Sequence, residues 1–244
     1  MKRLLQLYRS VLGKKAIVAV TGAIMLGFLI LHMIGNLKAF LPDASPGVPD
    51  IDLYSRFLRT MGEPILPYSV ALWLVRIITG SALVLHVICV FQLATRNRRA
   101  RPVHYDRADY TEATTSGRWM LYTGSLLLIF LGFHLLQFTT GSIDVSRFVD
   151  GEVYGNLFRA FHQWYFAALY LVAMAILALH LYHGAWSLFQ SLGYDSPDRN
   201  RGLRRLAVVI ALGLALCFGA VPVAFFSGLM QPPPILTAQH VRSP

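Results

Sequence analysis

The sequence predicts an all-α membrane protein with five transmembrane helices, and three observations carry that prediction. Of the 244 residues, 55% are hydrophobic and only 14% charged, with a mean hydropathy of +0.53. A soluble domain carries about 25% charged residues and needs them to cover its surface. The apolar residues gather into five stretches long enough, at ~20 residues, to cross a hydrocarbon core as helices. The basic residues give a net charge of +10 and a pI near 9.9, and they sit in short clusters between those stretches. That arrangement reads as membrane topology and not as a nucleic-acid surface. The aromatic and apolar content excludes a disordered chain. The two cysteines, Cys89 and Cys217, both lie in apolar stretches and form no CxxC or zinc spacing. Disulfide scaffolds, c-type haem attachment and cysteine-ligated clusters are thereby excluded.

Met1, Lys2, Arg3, Arg9, Lys14 and Lys15 precede the first apolar stretch in the manner of a signal peptide. The stretch is longer than the ~7–15 residues of a signal-peptide core, and no small-x-small cleavage site follows it, so it reads as a retained span. The five spans are expected at residues 16–40, 67–94, 119–140, 161–188 and 206–230 of a single transmembrane domain covering residues 1–244. The second is interrupted by Arg76. The third and fifth are almost free of charge, and Pro222 is expected to kink the fifth near its end. The loop at 41–66 is rich in Pro, Asp and Gly and then runs through 53–58 as an amphipathic surface helix. Fifteen of the 22 Lys and Arg residues fall on the side of the N-terminus and of residues 96–118 and 199–205, and six on the other side. The N-terminus is therefore expected in the cytoplasm and the C-terminus outside.

Eight histidines are present, and six lie in or beside the expected spans. His104 and His240 fall in loops. A polar side chain in a span is costly and usually faces the bundle interior, although a single histidine often only bonds a neighbouring helix. The pattern says more than any one member. At 1.5 Å rise per residue, His32 and His134 both lie ~25 Å from the cytoplasmic flank, on spans one and three. His86 and His180 both lie ~15 Å from it, on spans two and four. Two imidazoles at one depth on facing helices suit the axial positions of a haem iron, and helical bundles build cofactor sites in this way. Bis-histidine iron has no open position and carries electrons, so two such haems b would form a wire across the membrane. The first four helices are thus expected to form a haem-binding bundle. Gly22, Gly27, Gly80, Gly124 and Gly132 would let a flat macrocycle approach the backbone, or let helices pack closely. His183 shares a helix face with His180, so spacing leaves either as ligand. His162, beside Trp164 and Tyr165, reads as part of the interfacial aromatic belt at the start of span four.

Ser10-Val11-Leu12-Gly13-Lys14-Lys15, Thr21-Gly22 and His32-Met33-Ile34-Gly35-Asn36-Leu37 in the first span are similar to the opening of a known family. So is His180-Leu181-Tyr182-His183-Gly184-Ala185-Trp186-Ser187-Leu188-Phe189 in the fourth span, which is similar to that family's His-x-x-x-Gly-x-Trp-Ser segment. The chain resembles, over nearly its whole length, the cytochrome b membrane anchor of bacterial succinate:quinone oxidoreductase (succinate dehydrogenase), in its single-chain, five-span, dihaem form. The resemblance implies His32 and His134 as ligands of an outer haem iron. It implies His86 and His180 as ligands of an inner one, with His180 standing where the family has its ligand; His183 would then bond an inner-haem propionate. The partners implied are a flavoprotein with FAD and an iron–sulfur protein, both on the cytoplasmic face, with room for a small additional membrane subunit. Electrons from succinate would pass through the iron–sulfur clusters and the two haems to a quinone, with menaquinone expected.

Four further residues are candidates. Arg76, buried in lipid, requires an anionic partner, and an outer-haem propionate is one; snorkelling to the interface is the alternative. Glu63 resembles the family's outer acidic residue near the quinone, where a carboxylate could deliver protons. Gln137, three residues after His134, and Tyr54 could also touch a quinone. The same anchor in a fumarate reductase, or the cytochrome b of a hydrogenase or formate dehydrogenase, are electron-transfer alternatives. A histidine-relay transporter is a distant one, since transporters usually show inverted repeats or broken helices.

Overall fold

A computed structural model of the chain describes residues 6, 8–100, 115–143, 148–194 and 196–232. The described residues are helical, without β-strands. In chain order they form α1 (Val11–Leu37) with a 3-10 turn (Lys38–Phe40), α2 (Asp50–Thr60), α3 (Val70–Arg99), α4 (Thr115–Phe138), α5 (Val153–Phe161), α6 (Trp164–Ser191) and α7 (Pro197–Phe226). α1, α3, α4, α6 and α7 are long and apolar enough to cross a membrane. Large side chains such as Ile129 and Leu216 stand 71% exposed along them. Exposed apolar surface on that scale belongs against lipid, not water.

Local chemistry explains where the ends depart from the hydropathy reading. α1 begins at Val11, before residue 16, because Ser10 Oγ accepts the Gly13 N–H at 2.9 Å and caps the first turn. Lys14 is accommodated in that turn while 4% exposed, since its ammonium bonds Gln92 of α3 and lies 4.1 Å from the Tyr8 ring centre. α7 begins at Pro197, nine residues before the expected position. Proline suits the first helical position, where its missing N–H has no partner to lose. α7 then continues past the fully buried Pro222 to Phe226.

The largest difference lies before α6. The fourth span was expected from residue 161, but Val153–Phe161 is a separate short helix and the span begins at Trp164. His162 therefore lies outside the span. It closes α5, its N–H donating to the Phe158 carbonyl at 3.1 Å and its ring stacking on Phe158 at 5.3 Å. The start of α5 is held from outside: the Tyr154 N–H donates to Asp52 Oδ1 of α2 at 2.9 Å. A carboxylate there satisfies an orphan donor and faces the positive end of the helix dipole. Asp52 is 8% exposed, and burial pushes its carboxyl above the ordinary carboxylate value, while bonds from the Tyr154 and Val153 backbone act the other way. α2, expected over 53–58, extends over Asp50–Thr60, with Asp50 paired to Lys38 at 2.8 Å.

Contacts group the chain into two compact units, each drawing on all five long helices. The first takes α1 up to Leu29, α3 from Arg76, α4 up to Ser125, α6 from Leu177 and α7 up to Leu212. Ala185, Trp186 and Ala207 pack together in it. The second takes α1 from Ile30, α2, α3 up to Val75, α4 from Leu126, α5, α6 up to Ile176 and α7 from Gly213. Its core gathers Ile51, Tyr154, Leu157, Phe161, Tyr170 and Phe225.

Candidate functional site

Each unit holds one of the histidine pairs. The first unit contains His86 of α3 and His180 of α6. Each is met by a threonine hydroxyl from a different helix. Thr21 Oγ1 of α1 lies 3.1 Å from His86 Nδ1, and Thr123 Oγ1 of α4 lies 3.2 Å from His180 Nδ1. Thr21 donates its proton to the Ile17 carbonyl at 2.7 Å, and Thr123 to the carbonyls of Trp119 and Met120 at 3.2 and 3.1 Å. Each hydroxyl thus sits between its own helix's carbonyls and a ring nitrogen, and the donor and acceptor roles follow the ring's tautomer. With hydrogen on Nδ1, both imidazoles would keep the Nε2 lone pair for a metal.

Gly22 and Gly124 follow these threonines and let the rings sit against the helix. A Cβ on Gly22 would lie 3.5 Å from His86 Cε1, and one on Gly124 only 3.1 Å from His180 Cε1. Gly124 thus makes room for an imidazole, whereas a Cβ at Gly22 would fit at ordinary contact distance. At Gly27, Gly80 and Gly132 a Cβ would meet no described atom within 4 Å.

In the second unit, the rings of His32 (α1) and His134 (α4) lie edge to face, with centres 5.9 Å apart and planes at 83°. His134 Nδ1 is 3.0 Å from the Tyr170 hydroxyl of α6, which donates to Gln137 Oε1 at 2.9 Å. Phe130 and Phe161 each pack edge-on to Tyr170 at 4.9 Å, and Phe218 of α7 lies 5.7 Å from His32.

The other expected residues are less gathered. His183 is edge-on to Trp186 at 6.1 Å and close enough to His180 to interact with its charge. Arg76 is exposed on α3. Glu63 is exposed in the turn after α2. Tyr54 packs on α1, where a Cβ on Gly35 would come within 2.9 Å of its ring, and Lys38 Nζ lies 5.4 Å from that ring's centre. Gln137 is 4% exposed. His104, His240 and Arg147 lie outside the described residues.

Among the described residues no group of three or more His, Cys, Asp or Glu side chains could hold a metal ion. The donors come as imidazole pairs, the number that a planar macrocycle leaves for the protein to supply. Ligating histidines characteristically donate their second ring N–H to a fixed acceptor, which sets ring orientation and basicity. His86, His180 and His134 each have a hydroxyl partner at Nδ1, so the residues present fit histidine ligation of such a group. Sequence reading had not assigned Thr21, Thr123 or Tyr170. A signal exists for the first two, because each lies eleven residues before a candidate ligand, His32 and His134.

No protein-family model matches the chain, no curated protein matches it, and no solved structure matches it. The fold itself defines an all-helical, multi-pass membrane protein with five span-length helices.

Proposed function

We propose that the chain is a dihaem cytochrome b, the membrane anchor and electron-transfer subunit of a succinate:quinone oxidoreductase in a bacterial cytoplasmic membrane. The observation that carries this reading is the hydroxyl partner at Nδ1 of three of the four ligand candidates. Such a partner, when it accepts the Nδ1 hydrogen, leaves Nε2 for iron. A relay of histidines shuttling protons would need both nitrogens available in turn.

His32 with His134, and His86 with His180, would hold the two haems, which supply one-electron transfer when bound. The chain's own work is to present each imidazole in one tautomer and orientation and to keep water from the iron. Arg96, Arg98 and Arg99 at the end of α3 and Arg201, Arg204 and Arg205 in α7 offer a basic surface suited to an iron–sulfur partner of opposite charge. That end would face the cytoplasm, with the flavoprotein beyond and a quinone, menaquinone by resemblance, as the electron acceptor.

A dithionite-reduced minus oxidised spectrum of the purified chain, with pyridine-haemochrome stoichiometry, tests the proposal. Two b haems per chain are expected. A colourless protein from a fully assembled complex would return the histidines to helix packing.

A further inference from the structure

One face of α7 changes its chemistry along its length. Arg201, Arg204, Arg205, Val208, Val209 and Leu212 recur at three- and four-residue intervals, so they form a single stripe on the helix. All six are exposed. The arginines and the two valines, with Asn200, border one open hollow. Below the arginines the stripe enters the part of α7 long and apolar enough to cross a membrane. It passes from charged to apolar within about three turns.

The central arginine is held in place. The Arg204 guanidinium lies 4.0 Å from the centre of the Trp186 ring of α6, and its Nε donates to Asn200 Oδ1 at 2.7 Å. Trp186 is 5% exposed and packs with Ala185 and Ala207, which makes it a fixed platform. The bond to Asn200 uses one of the five N–H donors of the fork. Arg201 stands three and four residues before Arg204 and Arg205, and like charges at that spacing destabilise a helix. Among the described residues none of the three arginines forms an ion pair with a carboxylate. Residues 195–205 carry four arginines against Asp195 and Asp198, so positive charge remains in excess. An anion lying among the guanidinium groups relieves their repulsion.

The apolar half of the stripe selects the anion. A water-soluble acidic protein can meet arginines, but it does not cover side chains that continue into the span. A phospholipid has both parts. Its phosphodiester suits the planar guanidinium fork, and its acyl chains suit valine and leucine. We propose that this face of α7 binds a phospholipid of net negative headgroup. Arg204, with Arg201 and Arg205, holds the phosphodiester, and the chains lie along Val208, Val209 and Leu212. The assignment does not depend on the haem reading. It gives the arginines of α7 to the bilayer and leaves those at the end of α3 to a docking protein.

The test uses the full chain purified in detergent and offered equal amounts of phosphatidylglycerol and phosphatidylcholine. Native mass spectrometry counts the lipid retained. The parent should keep phosphatidylglycerol in preference. Arg204→Gln should weaken that retention about fivefold and leave phosphatidylcholine unchanged. Arg204→Lys keeps the charge without the flat fork and should fall between parent and Arg204→Gln. Val209→Asn should weaken retention with all three arginines present. Glycerophosphoglycerol, the headgroup without its chains, should not compete at equal concentration, and Arg96→Gln on α3 should keep the preference. Equal retention of the two lipids by the parent overturns the proposal, as does a preference indifferent to Arg204→Gln and to Arg201→Gln with Arg205→Gln. An equal loss in Arg96→Gln overturns it in favour of general attraction to basic charge. Competition by the free headgroup overturns it in favour of a phosphate site. Release of a partner protein by the α7 substitutions, with lipid retention unchanged, overturns it in favour of protein docking.

Discussion

The Thr21 hydroxyl lies 3.1 Å from His86 Nδ1, and the same relation recurs between Thr123 and His180 at 3.2 Å. In both cases one threonine hydroxyl reaches the carbonyls of its own helix and a ring on another helix. Loss of such outer partners weakens metal sites by about 10–100-fold. Under the proposed function, Thr21→Val and Thr123→Val should each loosen a haem held by His86 and His180 by that order and raise its potential, while Thr→Ser keeps both properties. Haem retention on dilution and a redox titration are the measurements; valine variants identical to the parent in both would remove the threonines from the site.

The two glycines beside these rings should respond unequally. Gly22→Ala places a methyl at ordinary contact distance, 3.5 Å from His86, and should retain full haem content. Gly124→Ala forces a 3.1 Å approach on His180. The ring must shift, and a broadened or displaced reduced-haem band for that haem alone is expected. Equal spectra for the two alanine variants would show that the cradle is not tight.

Ligand assignment is tested by deletion. His32→Ala or His134→Ala should remove one haem, and His86→Ala or His180→Ala the other, leaving half the pyridine-haemochrome signal each time. His183→Ala should leave both; loss of a haem there would transfer the ligand role from His180.

Asp52 makes stability depend on acidity. Burial raises its carboxyl pKa in the folded chain above the value it has when unfolded. Below both values the group is neutral in either state. As pH rises through the unfolded value, the unfolded chain ionises first, and stability falls until the folded value is passed. Asp52→Asn keeps an oxygen for the Tyr154 N–H and removes the titration. Thermal unfolding in detergent should therefore show a loss of Tm with rising pH across the mildly acidic range that the variant lacks. Parallel profiles for the two proteins would contradict the burial effect.

The spans were legible because hydropathy over some twenty residues is a strong signal. So was the pairing of His32 with His134, because helical rise converts sequence distance into depth. α5 was not legible. Nine residues are too few for a hydropathy window, and the carboxylate that caps the helix is 102 positions away. Tyr170 was hidden for a different reason, since one aromatic in an apolar helix looks like packing until a ring nitrogen is found opposite its hydroxyl. Thr21 and Thr123 resembled ordinary hydroxyls bonding back to their own helix, which they also do.

The Asp52–Tyr154 contact also sets an order in time. A ribosome completes Asp52 long before Tyr154, and the residues between include all of α3 and α4. The carboxylate of α2 therefore waits, without its partner, while two further membrane helices are synthesised and inserted. Its burial cost falls due only when α5 emerges and docks. The join between α2 and α5 is thus a late event in biogenesis, and a chain arrested before Tyr154 carries a solvated Asp52 in place of a helix cap.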